Sequence, residues 1–221
     1  MKIPENVQAI IFDMDGVLWD SSAAHAQAIQ EVLDEIGLQM PAYHLIAGRR
    51  TNEMFAHLLQ GAGRLPDATL VEKLTLGKQV RARQLLAETR PLFPHCQRVV
   101  RQLRKKYRLA LASSASLASV RVFLEAAQLT DCFQVVLSGD EVPHAKPDPG
   151  IYLEALRRLQ VTPEQALVVE DAITGIQAAQ GAGIRVVGMT GTLTADQLRL
   201  YSVFAMINSL DALLADDISH C

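Results

Sequence analysis

The stretch AIIFDMDGVLWDSS, residues 9–22, opens as a buried strand and closes as a polar loop. Ala9, Ile10, Ile11 and Phe12 are four apolar residues in a row, too few for an ordinary helix and suited to a strand covered on both faces. The character then changes within one residue. Asp13 and Asp15 flank Met14, and Gly16 follows at once. In an extended segment residues two apart point the same way, so two carboxylates are expected side by side where a hydrophobic strand ends. Like charges at that spacing resist joint ionisation unless a cation lies between them or one keeps its proton.

Working outward, the first strand spans about residues 7–13, and Ser22 to Ile36 reads as a helix closed by Gly37. Residues 40–90 read as helix upon helix, with TNEMFAHLLQ and VEKLTLGKQVRARQLLAE carrying apolar residues at helical spacing until Pro91 and Pro94 break the pattern. After Pro94 the rhythm alternates. CQRVVRQLRKKY, LASVRVFLEAAQL, PGIYLEALRRLQ and AITGIQAAQGAG read as helices, separated by the strands RLALAS, CFQVVLS and QALVVED and followed by IRVVGM. Such alternation predicts an α/β fold, a Rossmann-like parallel sheet covered by helices, to which the first strand belongs. The chain accordingly divides into an α/β core of residues 1–19 and 91–221 and a helical insert of residues 20–90 after the first strand.

The bulk properties narrow the function. The 221 residues are 49% hydrophobic, enough for a full core, and carry a net charge of −3 with no strong basic face, which argues against nucleic acid as a partner. The N-terminus reads as neither a signal peptide nor a membrane span. Cys96, Cys132 and Cys221 are scattered and odd in number, which points to free thiols in a reducing cytoplasm. A cytoplasmic protein, monomeric or weakly dimeric, is expected.

In a parallel sheet of this kind ligands bind beyond the C-terminal strand ends. Asp13 and Asp15 end the first strand, Ser113 and Ser114 the second, Asp140 and Lys146 follow the third, and Glu170 and Asp171 end the fourth. Acids with one lysine and a serine suit Mg²⁺ and a phosphate, because Mg²⁺ takes carboxylate and phosphate oxygens. An aspartate is already ionised near neutrality and can attack phosphorus without a base, while a second aspartate moves the protons. Other motifs fail. DMDG lacks the remaining positions of a calcium loop. The glycines of GIQAAQGAGI precede a strand where a dinucleotide fingerprint would follow one, and LGKQ is no P-loop. No G-x-S-x-G elbow is present.

DMDGVLWDS, LASSAS, AKPDPGIY and VVEDAITGIQAAQGAGI resemble, in that order, the four motifs of the haloacid dehalogenase superfamily. The insert resembles the small α-helical cap of the subgroup containing phosphoglycolate phosphatase and β-phosphoglucomutase. The resemblance implies Asp13 as nucleophile, Asp15 as acid and base, Ser113 and Ser114 as phosphate contacts, and Lys146 as the motif-three lysine. It implies Mg²⁺ held by Asp13, the Asp15 main-chain carbonyl and Asp171, with Glu170 a less direct ligand. Among cap residues, His25 would assist proton transfer or be a helix-surface histidine. Arg49, Arg50 and Lys78 would reach the substrate, and Thr51 falls where the mutase has its arginine. The expected activity is hydrolysis of a small phosphorylated metabolite, a sugar phosphate or a phosphoglycolate-like acid, through a phospho-aspartate. The alternatives are mutase-type phosphoryl transfer and a catalytically idle binding protein.

Overall fold

A computed structural model describes residues 1–214; Cys221 lies outside the described residues. The elements in chain order are β1 (Ala9–Phe12), α1 (Ser22–Asp34), α2 (Thr51–Gly61), α3 (Ala68–Thr89), α4 (Cys96–Leu103), β2 (Arg108–Ala112), α5 (Leu117–Ala126), β3 (Val135–Leu137), α6 (Gly150–Leu159), β4 (Ala166–Glu170), α7 (Ile173–Gly181), β5 (Arg185–Met189), α8 (Ala195–Arg199) and β6 (Ala205–Ile207). The sheet is wholly parallel in the order β3-β2-β1-β4-β5-β6. The expected α/β fold is therefore present, with a helical insert between β1 and β2.

Period-two alternation places the core on both faces of this sheet. Ile10, Phe12, Leu109, Leu111, Leu167 and Val169 pack with residues of α4 and α5 on one side. Ala9, Ile11, Ala110, Ala112 and Val168 pack with residues of α6 and α7 on the other. The insert has a separate core of Ile29, Val32, Leu33, Ile46, Met54, Phe55, Leu59 and Leu74, drawn from α1, α2, α3 and the loop before α2. Gly37, at a φ of +66°, ends α1 as expected: its N–H donates to Asp34 and that of Leu38 to Leu33.

The principal departures from the sequence reading are four. α4 stops at Leu103 and β3 is only three residues long. The chain adds α8 and β6, which the periodicity did not predict. A three-residue strand such as AMI is too short to show a period and is fixed only by pairing with β5.

The strand order reverses direction at β1, which lies between β2 and β4. That is the switch point at which an open parallel sheet leaves a crevice at its C-terminal edge. The two segments that join the insert to the core run together there: Asp20 N–H donates to Pro91 and Phe93 N–H to Leu18, and Trp19 bridges to Leu92. Trp19 is 1% exposed and packs its ring against Phe123, 5.4 Å between centroids.

Candidate active site

β1 delivers Asp13 to the switch point, where its N–H still donates to Val169 in the style of the sheet. The chain then turns back sharply. Met14 C=O accepts from both Leu18 and Trp19, and Gly16, at a φ of +81°, donates to Trp19. A Cβ on Gly16 would lie 1.8 Å from Asp171 Oδ2, so only glycine allows the turn to press against that carboxylate.

The carboxylates of Asp13, Glu170 and Asp171 form a buried cluster, with one oxygen of each within 4.8 Å of the others. Lys146 enters it from the loop after β3. Its Nζ donates to Asp13 Oδ1 at 2.6 Å, Glu170 Oε1 at 2.7 Å and the Ala112 carbonyl at 3.1 Å. Burial alone would lower the lysine, but the Asp13 and Glu170 carboxylates outweigh it and raise its pKa well above the usual value. Burial, together with Glu170 and Asp15 and against the pull of Lys146, pushes Asp13 up to about 8. Burial and the charges of Glu170 and Asp13 likewise hold Asp171 well above the carboxylate range. Such crowding among hard oxygen donors fits a divalent cation. Glu170 already has four partners: Oε1 accepts from Lys146 and Tyr152, and Oε2 from the N–H groups of Asp171 and Ala172. That leaves the carboxylates of Asp13 and Asp171 the better placed for direct ligation.

Asp15 turns elsewhere. Its Oδ1 accepts from Ser21 and lies 2.9 Å from His25 Nε2, instead of joining the three-acid cluster. A carboxylate only accepts, so Nε2 carries the proton, and the buried Nδ1 is left without a partner. Burial would raise Asp15, but His25, Ser21 and Lys78 together lower it. The two-residue spacing predicts Asp13 and Asp15 side by side, with a cation between them or one of them keeping its proton. The difference arises because the turn at Gly16 gives each aspartate its own partners. His25 is lowered by burial and by Lys78. Burial, opposed by Asp15, lowers Lys78 to about 8.

Above these groups lies a cleft between the insert and the strand ends. It is lined by Asp13, Asp15, Asp171, Ser113 and Ser114 from the core, and by His25, Arg49, Thr51 and Lys78 from the insert. The sequence-derived site residues are thus brought together, with Glu170 and Lys146 beneath them. The two serines differ. Ser113 Oγ accepts from Ala115 N–H, and Ser114 Oγ donates to the Gly48 carbonyl. Arg49 faces the cleft with a buried, unpartnered Nε. Arg50 does not line it and instead reaches core carbonyls. Asp140 caps α5 through Leu117 N–H.

Sequence reasoning missed Thr192, whose hydroxyl donates to Asp171, Tyr152 on Glu170, and Arg83 in the cleft. Arg83 carried only a weak signal, its charge on α3, because five residues beyond Lys78 is about 140° round the helix. Thr192 and Tyr152 carried none.

A parallel sheet with buried acids at its switch point and a helical insert facing them is the arrangement of a known family of hydrolases. The chain belongs to the haloacid dehalogenase-like hydrolase family, whose model matches residues 7–183. It is 32% identical over 210 residues to a phosphorylated carbohydrates phosphatase of Thermotoga maritima, covering 94% of this chain and 90% of that one. It is 31% identical over 192 residues to a phosphoglycolate phosphatase of Nitrosospira multiformis, covering 84% of each. A β-phosphoglucomutase from Clostridium difficile shares the fold, with a TM-score of 0.84 at 20% identity over 96% of this chain and 95% of that one.

Proposed function

We propose that the chain is a Mg²⁺-dependent phosphatase of small phosphorylated metabolites, sugar phosphates or phosphoglycolate-like acids. The observation that carries this reading is Asp13, held at the switch point by Lys146 within a cluster of buried acids. In this reading residues 20–90 act as a cap over a core of residues 1–19 and 91–221.

Asp13 Oδ2, the oxygen not bonded to Lys146, attacks phosphorus and forms an acyl phosphate. Asp13 and Asp171, with the Asp15 main-chain carbonyl, would hold Mg²⁺, which supplies positive charge between the carboxylates and the phosphate. Lys146 and Ser113 steady the transferring oxygens, Ser114 lines their side of the cleft, and Glu170 fixes Lys146. Asp15 delivers a proton to the leaving oxygen and later takes one from the attacking water. Because Asp15 is held low in the free site, it must take a proton from solvent as the substrate binds. A phosphate dianion beside it raises its pKa, and the Nε2–H of His25, 2.9 Å away, orients the carboxyl group. Arg49 and Lys78 draw the anionic substrate beneath the cap.

The buried, unpaired Cys96 and Cys132 support a cytoplasmic setting, and among the described residues no helix is long and apolar enough to cross a membrane. A monomer or weak dimer suffices, since one chain supplies both walls of the cleft.

The bond between His25 and Asp15 favours a second reading, phosphoryl transfer of the mutase type. Against it, Thr51 is the residue that faces the cleft where a mutase has its arginine. The test is a panel of phosphorylated metabolites followed by phosphorus NMR, using wild type and Asp13→Asn. Inorganic phosphate should appear with wild type, and the variant should fall below about 1% of it, because a near-isosteric amide is a poor nucleophile. Steady isomerisation of a sugar phosphate with little free phosphate would establish the second reading instead.

A further inference from the structure

We propose that Arg50 is a latch that holds the cap over the strand ends. Arg50 immediately precedes α2, at the positive end of the helix dipole, where a cation is disfavoured. Its guanidinium lies 3.7 Å from Glu53 of that helix and reaches across to the core. Nη2 donates to the carbonyls of Gly139 and, at 2.8 Å, of Val142, while Nη1 lies 3.4 Å from that of Pro143. These carbonyls belong to the one-turn helix Gly139–Glu141 and the segment that leaves it. A planar fork of N–H groups can satisfy several converging carbonyls at once, whereas a lysine ammonium is a single point.

The gripped loop connects to the catalytic groups on both sides. Gly139 N–H donates to Ala115 at 2.8 Å, and a Cβ on Gly139 would lie 2.4 Å from the Ser114 carbonyl. The loop therefore rests directly on the backbone that carries Ser113 and Ser114. On its other side, His144 and Ala145 separate Pro143 from Lys146, whose Nζ holds Asp13. The neighbours of Arg50 reinforce the contact: Ser114 Oγ donates to Gly48 C=O at 2.9 Å, and Thr174 Oγ1 to Ala47 C=O at 3.2 Å. Residues 47–50 thus touch the loops after β2 and β3 and the start of α7. The Arg50 acceptors on the core are neutral, and its side chain is 23% exposed, so water can replace each bond when the cap lifts. That makes the contact releasable in every catalytic cycle.

The consequence for turnover rests on the phosphatase reading; the latch itself does not. The experiment compares wild type, Arg50→Ala and Arg50→Lys by backbone hydrogen–deuterium exchange, and by phosphate release from the best sugar phosphate of the panel and from acetyl phosphate. In Arg50→Ala, exchange should rise roughly fivefold or more in residues 46–51 and 139–146, with the sheet unchanged. For the sugar phosphate kcat/KM should fall about tenfold or more, because cap closure must orient it, while acetyl phosphate, whose leaving group needs no protonation, stays within about threefold. Arg50→Lys should lie between the two, since it keeps the charge but presents its donors from a single point. Unchanged exchange in both segments, or exchange raised throughout the chain, would overturn the latch. Equal losses on the two substrates would overturn its role in turnover. If wild type releases phosphate from nothing, the phosphatase reading fails, while the exchange result still decides the latch.

Discussion

At the scale of the residue, the site is a set of buried charges that depend on one another. Lys146 is 2% exposed and bridges two carboxylates that burial would otherwise destabilise. Truncating one partner of a buried ion pair leaves the others unpaired, so Lys146→Ala should cost about 3–5 kcal/mol in urea unfolding as well as activity. A loss below about 1 kcal/mol would show that Asp13 and Glu170 find other partners once the ammonium is gone. Lys78 is a titrating group of the insert. Its pKa lies at about 8, so it is charged below that pH and loses its charge as pH rises through it. Attraction for an anionic substrate should fade over the same interval. The alkaline limb of kcat/KM should therefore lie near pH 8 and move up in Lys78→Arg, whose guanidinium stays charged. An alkaline limb at the same pH in both proteins would remove Lys78 from the explanation.

At the scale of the element, each strand end is shaped by what packs on it. Gly16 lets the turn after β1 press on Asp171, and Gly175 lets α7 press on Glu170, where a Cβ would lie 1.7 Å from Oε1. Gly16→Ala therefore meets two obstacles, a φ of +81° and the Asp171 carboxylate. The backbone term alone is roughly 1–2 kcal/mol. The displaced carboxylate should reduce turnover about a hundredfold, by analogy with a misplaced reacting group. A melting curve and kcat on the same preparation separate the two effects, and a variant with full activity would show that the turn tolerates a side chain. The elements themselves were legible in the sequence wherever they were long. The alternation after Pro94 and the apolar spacing of α1, α2 and α3 placed them correctly. β6 escaped notice because three residues cannot show a period.

At the scale of the whole molecule, the fold brings together at one edge acids that do not ionise together easily. Asp13, pushed up to about 8, holds a proton at neutral pH, and burial with its acidic neighbours raises Asp171 as well. A divalent cation that binds there must displace the protons these carboxyls hold. Mg²⁺ binding at pH 7 should therefore release protons, seen in calorimetry as a heat that depends on the ionisation enthalpy of the buffer, and should tighten up to about tenfold per pH unit for each proton lost. Asp171→Asn should release fewer. Heats identical in two buffers would mean that the acids are already ionised. Chelation should correspondingly abolish phosphate release.

The sequence by itself determined most of the architecture and named the core residues that gather at the strand ends. Local periods of two and 3.6 residues mark strands and helices, and a parallel sheet sends every residue after a strand end to the same edge. Asp13, Asp15, Ser113, Lys146, Glu170 and Asp171 could be named from that rule and the family motifs together. Tertiary structure alone decided how they pair. Lys146 meets Asp13 across 133 residues, Thr192 meets Asp171 across 21, and Arg50 meets Val142 across 92. No local pattern encodes contacts at such separations, because they depend on which way each loop turns once the sheet has formed. The same is true of Asp15. Its position was readable two residues after Asp13, but its partners were not, because a turn at Gly16 and a helix carrying His25 set the direction of its carboxylate and thus its charge.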